Sequence, residues 1–415
     1  MLTAFLTTLL MVSCQRTTPD LASGAPVTLK VNGWGSTAIE ERLLQQVLHA
    51  FEASHPGIQV EFETIADQYM DVIKTRLIGE AAADVFYLDV FEAPFLMTQG
   101  VLEPLDAYIP LEFDLADFDP NLLQAFRANQ QLYGLPKDYS TLALFYNRQA
   151  FAEAGITRPP QTWDELLDDA RTLTRDRNND GQPDQYGLGI LPELPRMMTA
   201  LQAYGGQVLD AQGNATFAEP AALQGLEQIV NPYQQDRTIV QPSDVGANSG
   251  TEMFGQGRVA MVIEGNWAIP FLQDTFPKID FATAEVPRMN DRPGTMVFTV
   301  AYVMNAQSRH KREAWELIAY LTGKTGMAQW TSTGFALPTR SSVAQLQKQN
   351  EDELRSPLVA GLQYATPWQI GQYPTPIVNA FNNQFISVLL GQQPLAPAMQ
   401  KAQAEANEQL RVARE

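Results

Sequence analysis

Residues 133–167 read YGLPKDYSTLALFYNRQAFAEAGITRPPQTWDELL. Gly134 and Pro136 mark a turn, and the apolar run at 142–146 is too short for a helix and rich in strand formers. Residues 147–155 then predict a short helix, ended by Gly155 with Pro159-Pro160 beyond. Thr162 supplies an N-cap, with Glu165 three residues on as a capping box. The helix from Trp163 carries apolar residues at Leu166, Leu167, Ala170 and Leu173. A strand running directly into two polar-faced helices predicts a link between two α/β halves.

Toward the N-terminus, residues 27–32 alternate like a strand and end in Gly33-Trp34-Gly35-Ser36. Leu43, Leu44, Val47, Leu48 and Phe51 then fall at helical spacing, and Ile58, Val60 and Phe62 alternate as a second strand. This βαβ opening predicts a mostly parallel sheet, in which ligands gather at the carboxyl ends of the strands. Trp34 and Ser36 follow the first strand; Asp67 and Tyr69 follow the second. Trp34 reads either as a platform for a ligand ring or as a core residue. After a helix over 69–81, a third strand over 84–88 leads into Asp89 and Glu92. Carboxylates there suit vicinal hydroxyls, because each accepts two hydrogen bonds. The plainer alternatives are a helix N-cap for Asp89 and a solvated surface charge for Glu92.

Toward the C-terminus, Asp176, Asn178, Asp180, Gln182 and Asp184 surround Gly181. Oxygen-bearing side chains at positions one, three, five and nine, with Gly at six, match the first part of an EF-hand calcium loop. Position twelve is Gly187, where the bidentate Glu is missing, and the competing reading is an Asn/Asp turn cluster bonded to its own backbone. Helices follow over 197–204 and 221–233. Residues 259–263 form a fully apolar strand broken by Gly265-Asn266-Trp267. A strand over 295–304 holds Phe298 and Thr299, and a helix covers 311–321. Residues 364–373 contain Trp368 and two tyrosines, and two helical stretches close the chain.

The 415 residues are enough for two domains with substantial cores, and a hydrophobic content of 45% is that of a globular protein. A net charge of −19 argues against nucleic acid and against anionic lipid as partners. Residues 1–12 are uncharged and apolar, shorter than a membrane span, and fit a signal-peptide core over 1–13. Cys14 is the only cysteine, so no intramolecular disulfide exists. Its place after Met-Val-Ser resembles a bacterial lipobox, with lipidation of Cys14 as the expectation and a free thiol as the alternative. Two departures stand: Met11 where Leu is preferred, and no Lys or Arg before the apolar run. Residues 15–26 are polar, with Pro and Gly, and read as a flexible tether.

The order of these pieces resembles the carbohydrate-binding extracellular solute-binding proteins of ABC importers, the maltose-binding-protein type (family 1). The resemblance rests on Gly-Leu-Pro, then Leu-Phe-Tyr-Asn, Gly-Ile and Pro-Gln-Thr-Trp-Asp-Glu-Leu around residues 134–167. It continues in Asp84-Val with Gly100-Val-Leu, Gly205-Gly206, Gly257-Arg-Val-Ala-Met with Gly265-Asn-Trp267, and Gly334-Phe-Ala-Leu-Pro-Thr-Arg340. It implies a two-lobed, type II periplasmic-binding-protein fold of α/β class, with a hinge of crossing segments and the ligand cleft between lobes. The expected lobes are 27–137 plus 283–338 and 138–282 plus 339–415, with crossings near Lys137, Thr283 and Pro338. Carried over by position, Asp138, Tyr139 and Ser140 face the ligand. Asp89 and Glu92 contact it, Trp267 stacks on a sugar ring, and Phe298, Thr299 and Arg340 sit on segments passing between lobes. Trp368 falls near the cleft rim. Some members carry calcium in the region of 176–184.

The resemblance therefore implies an extracytoplasmic, lipid-anchored, monomeric receptor that closes on a neutral oligosaccharide, disaccharide or glycosyl-polyol and hands it to membrane permease subunits, with no cofactor and no chemistry. The competing enzyme is a glycoside hydrolase using a pair among Asp67, Asp89, Asp138, Glu92 and Glu264. The chain has only three histidines (His49, His55, His310), no Gly-X-Ser-X-Gly elbow and no phosphate loop. A third reading keeps the fold but changes the cargo to a polyamine, a glycerophosphodiester or iron. The set Trp34, Asp89, Tyr139, Trp267 and Trp368 favours a neutral polyol, because sugar C–H faces pair with aromatic planes and their hydroxyls with polar rims.

Overall fold

In the computed structural model, residues 26–35 and 38–415 are described; Cys14, the signal-peptide and tether segments, and Ser36 lie outside them. The chain opens with β1 (Val27–Gly33), helix Ala38–Ser54, β2 (Ile58–Thr64), helix Tyr69–Ile78 and β3 (Val85–Asp89). β1 pairs in parallel with both β2 and β3. The helical spacing of Leu43, Leu44, Val47, Leu48 and Phe51 buries all five against this sheet, each contributing about 1.5–3 kcal/mol by leaving water.

A two-stranded ribbon, β4 (Arg127–Ala128) and β5 (Gln131–Leu132), precedes β6 (Gly134–Asn147). Beyond it come β7 (Tyr186–Gly189), β8 (Ile239–Val240), β9 (Val259–Gly265), β10 (Phe281–Ala284), β11 (Thr295–Met304) and β12 (Ala365–Pro367). The main sheet runs β2-β1-β3-β11-β6-β9-β7-β8, with β10 on β6 and β12 on β11. Its two outer parts are parallel, as the βαβ reading predicts. The central pairs β3–β11, β11–β6 and β6–β9 are antiparallel.

β6 is the member shared by both parts. Residues Gly134 to Thr141 pair with β11, and Leu142 to Tyr146 pair with β9. The turn expected at Gly134 and Pro136 is instead the start of this strand. Gly134 is required because a Cβ there would lie 2.8 Å from Ala301 Cβ and 2.9 Å from Val303. Pro136 sits opposite Ala301 and Asp138 opposite Val300, so Lys137 is the extra residue of a bulge. Proline has no N–H to place in a ladder, and a bulge beside it is how a central strand tolerates one.

The helices after β6 follow the sequence closely. Asn147 Oδ1 caps helix Arg148–Ala154 by accepting from Ala150 N–H at 2.9 Å, and Gly155 ends it at φ +74°. Thr162 Oγ1 caps helix Trp163–Leu173 through Glu165 N–H at 3.2 Å. The closing helices, Pro374–Leu389 and Leu395–Arg414, join the second half: Asn382 accepts from Leu194 N–H, Gln403 from Ala218 N–H and Asn407 from Ala215 N–H.

Two expected boundaries shift. Thr283 lies in β10, opposite Phe145 on the second-half end of β6; the chain returns to the first half along β11, which ends on β3. After Pro338 the chain stays with the first half, since Arg340 and Ser342 both bond Asp117. It reaches the second half near Glu353 and Leu354, whose carbonyls accept from Thr283 Oγ1.

Candidate functional site

The β6–β11 ladder forms the floor of a cleft of about 260 Å3 between the two halves. β6 contributes Lys137, Asp138, Tyr139 and Ser140; β11 contributes Phe298, Thr299 and Val300. Trp34, just past β1, and Glu40, in the first turn of helix Ala38–Ser54, wall it from one side. Trp267, just past β9, faces them from the other side. Phe335 and Ala336 come from the segment ahead of Arg340.

The aromatic walls are held in place by packing. Trp34 meets the rings of Tyr69 and Tyr87 edge-on, at centroid distances of 4.9 and 5.3 Å. Trp267 stands edge-on to Phe298 at 5.8 Å. Its indole lies over Gly265, where a Cβ would come within 2.3 Å of the ring. Its Nε1–H donates to Glu264 Oε2 at 3.2 Å, and Arg196 donates to that same oxygen at 3.0 Å.

The polar floor is equally fixed. Thr299 Oγ1 donates to Asp138 O at 2.7 Å, and Ser140 Oγ accepts from Asn266 N–H at 2.8 Å. Lys137, 5% exposed, lies between the Trp330 ring at 3.8 Å and the Tyr87 ring at 5.0 Å. Its ammonium pairs with Asp138 Oδ2 at 2.5 Å, and the same oxygen accepts from Trp330 Nε1–H at 2.8 Å. Burial pushes the Tyr139 phenol above its ordinary range, so it stays protonated.

The cleft thus collects Trp34, Asp138, Tyr139, Ser140, Trp267, Phe298 and Thr299 from the residues singled out in the sequence. Others are placed elsewhere. Asp67 is exposed on the loop after β2 and does not line the cavity. Tyr69 pins β1 to β3: its oxygen lies 3.0 Å from the carbonyls of Asn32 and Tyr87 and accepts from Tyr87 N–H. Glu92 is buried in a 2.9 Å ion pair with Lys74. Asp89 turns back to accept from Phe91 N–H at 2.8 Å, and burial raises its pKa to about 6.

Arg340 is a correction of another kind. It is 1% exposed and donates to Thr322 O, Asp114 O, Phe113 O and Asp117 Oδ2, with Phe113 and Phe118 stacked on its guanidinium. It fastens the returning segment to the first half and does not face the cleft. Trp368 is 8% exposed and stacked on Phe91 at 5.1 Å with the planes 17° apart, outside the cavity.

Glu40 was missed, although its signal is present. It shares the helical stripe of Leu43, Leu44 and Val47, and an acid on a buried stripe marks a polar interaction inside the fold. Phe335 and Arg196 carry no comparable local signal, since their partners lie 60 or more residues away.

In the 176–184 loop, side chains bond the loop itself. Asp176 accepts from Gly181 N–H, Asn178 from Asp180 N–H and Asp180 from Gln182 N–H, all at 2.8–2.9 Å. Asp184 accepts from Arg177 and Asn178 N–H. Among the described residues no group of three or more His, Cys, Asp or Glu side chains is arranged to hold a metal ion. None of their helices is long and apolar enough to cross a membrane.

Two α/β halves joined by shared strands, with a cleft at the junction, define the class of two-lobed binding proteins. The chain belongs to the family of bacterial extracellular solute-binding proteins, which it matches over residues 34–328. An ABC substrate-binding protein from Listeria monocytogenes, solved in complex with cycloalternan, superposes with a TM-score of 0.83 at 20% identity, over 93% of this chain and 99% of that one. A solute-binding protein of an ABC transporter from Thermotoga lettingae TMO, bound with alpha-D-tagatose, gives 0.79 at 26% identity, over 92% and 99%. A putative binding protein of Brucella abortus (strain 2308) is 27% identical over 308 residues, which is 73% of this chain and 74% of that protein.

Proposed function

We propose that this chain is the receptor of an ABC importer for a neutral saccharide or polyol. One observation carries the choice of cargo. Among the described residues lining the cleft, Lys137 is the single cation, and its ammonium is already paired with Asp138. An anionic solute would find no free positive charge there. The remaining surface is aromatic planes above hydroxyl, phenol and carboxylate groups, which suits apolar C–H faces rimmed by hydroxyls. The solved relatives bound to cycloalternan and tagatose support the same class of ligand.

A solute touching Trp34 on one side and Trp267 on the other favours the closed arrangement of the lobes, and membrane permease subunits read that arrangement. The chain works as a monomer outside the cytoplasm, held to the membrane by a lipid on Cys14 through the 15–26 tether. Nothing in this cycle makes or breaks a covalent bond in the cargo.

Isothermal titration of the mature chain (Gln15 onward) against neutral saccharides and polyols, polyamines and glycerophosphodiesters tests the reading, with product analysis on the same samples. Binding of a neutral saccharide or polyol, recovered unchanged, supports it. Binding confined to polyamines or phosphodiesters keeps the family and overturns the cargo, and consumption of sugar overturns the receptor role.

A further inference from the structure

Three of the aromatic rings lining the cleft are braced by other rings: Trp34 by Tyr69 and Tyr87, and Trp267 and Phe298 by each other. Phe335, half-buried in the same cleft, meets no other ring among the described residues. Its place is set through its backbone. The segment that carries it leaves helix Lys324–Trp330, which packs on helix Ala38–Ser54 of the first half. Beyond Phe335, Leu337 pairs with Tyr139, and Thr339 Oγ1 donates to Pro136 O at 2.8 Å. Between these anchors the chain bends at Gly334 and Phe335, with Gly334 at φ +68°.

The hold on this bend comes from the second half. Asn266, just past β9, is fully buried, and its Nδ2 donates to Gly334 O and to Phe335 O, both at 2.8 Å. Two carbonyls facing one amide fix its orientation, since the amide oxygen in that place would repel both. That oxygen, Oδ1, is buried and meets no donor among the described residues, so what the side chain gives the fold is its two amide protons. Arg355 Nε also donates to Gly334 O, at 3.1 Å, but among the described residues Phe335 O accepts from Asn266 alone. The main chain of Asn266 is engaged separately: its N–H donates to Ser140 Oγ at 2.8 Å, and the next residue is Trp267. One residue therefore joins the β6 floor, the Trp267 wall and the Phe335 wall across the two halves.

We infer that Asn266 is a positioning residue of the cleft: its amide, reaching over from the second half, holds the Phe335 ring where it meets the cargo. The inference rests on the proposed saccharide or polyol cargo and adds Phe335 to the aromatic surfaces that touch it. A ring set in place before the cargo arrives spares the entropy of ordering it on binding, and Phe335 has no ring neighbour to do this.

The test is a double-mutant cycle on affinity. The mature wild-type chain (Gln15 onward) is titrated by calorimetry with neutral mono-, di- and trisaccharides and hexitols, and the tightest of these is carried through N266A, F335A and the pair. N266A keeps the main-chain bond to Ser140, and with it the place of Trp267, so the hold on the bend is what it removes. F335A is expected to weaken the ligand roughly tenfold, as loss of an aromatic surface does. N266A should weaken it at least about fivefold, and the pair should bind within about twofold of F335A alone, because the ring that Asn266 holds is then gone. A residue that only stabilised the fold would lower the melting temperature and leave this affinity cycle flat. Affinity unchanged in N266A or in F335A overturns the inference, and so does a loss from N266A that is as large in the F335A background as in the wild type. A wild type that binds no neutral saccharide or polyol overturns the cargo reading, and the inference with it. If N266A lacks a cooperative thermal transition, N266S, which keeps one hydroxyl proton for the bend, is carried through the same cycle and judged by the same outcomes.

Discussion

Trp267 is held by Glu264: the indole N–H donates to a carboxylate oxygen that also accepts from Arg196, and Arg196 donates in turn to Ile263 O at 2.7 Å. Glu264 is 2% exposed, so this chain of bonds is sheltered from water and fixes the plane of a half-buried ring. A ring locked before the ligand arrives loses little entropy on binding, which is what a stacking platform requires.

Replacing that ring should therefore act on affinity more than on folding. W267A is expected to weaken the saccharide or polyol by about 1–3 kcal/mol, by analogy with aromatic stacking on nucleobases. Titration calorimetry checks this beside a melting curve, which should move little. An affinity unchanged by W267A removes the platform role.

The pairing of Lys137 with Asp138 predicts a change of selectivity. D138N keeps an oxygen for the Trp330 N–H but leaves the ammonium unpaired in the cleft. Sugar phosphates or glycerophosphodiesters, which the wild type is expected to ignore, should then bind measurably, with an affinity that falls as salt rises. Continued indifference of D138N to these anions would show that Lys137 is out of reach of the cargo.

How much of this was legible beforehand depends on how far apart the partners lie. Helix Ala38–Ser54 and the strands β1 to β3 follow from periodicity because one buried face dictates each pattern. Trp34 and Trp267 were legible as strand-end residues of a sheet whose ligands collect at those ends. Arg340 was misread because what surrounds it, Phe113, Asp117 and Phe118, lies more than 220 residues away. Trp368 was misread for the same reason: only the fold brings Phe91 onto its face. Glu40 was legible as a charge on an apolar stripe.

Arg340 should behave as a fastening. Burial alone would raise the Asp117 carboxyl, but the Ser342 hydroxyl and amide together with Arg340 bring it below its ordinary range. R340A strands three buried backbone carbonyls and takes the guanidinium from the Asp117 carboxylate, which is 8% exposed and is left with Ser342 and the more distant Lys324 ammonium. A loss of about 3–5 kcal/mol is expected in denaturant unfolding. Ligand affinity of the folded fraction should stay within twofold. A large loss of affinity with stability preserved would return Arg340 to the cleft.

Calcium is expected to leave the protein unchanged. In the 176–184 loop the carboxylates already accept from loop amides, and Asn178 Nδ2 donates to both Asp180 and Asp184. Position twelve has no room for a ligand: a Cβ on Gly187 would lie 2.0 Å from Ala170 O. Melting curves in 1 mM calcium and in EDTA should agree within a degree. A rise of several degrees that is lost in D180N would make the loop a calcium site.

Asp89 supplies a pH dependence whose sign can be worked out. Its carboxyl titrates at about 6 in the folded chain against 3.8 ordinarily, first because of burial, with Glu92 adding to the rise and the Phe91 N–H opposing it. The folded state therefore holds this proton more firmly than the unfolded chain. The stability it contributes is full below about pH 4 and is lost as pH rises through 6. D89N keeps an oxygen to accept from Phe91 N–H and carries no charge at any pH. It should exceed the wild type in stability at pH 7.5 by about 1–2 kcal/mol, less than the full shift implies because Asp89 retains some contact with water. The advantage should shrink through pH 6 and vanish by pH 4, as read by urea unfolding at each pH. An advantage constant across that range would mean that the carboxylate is already well solvated at the end of β3.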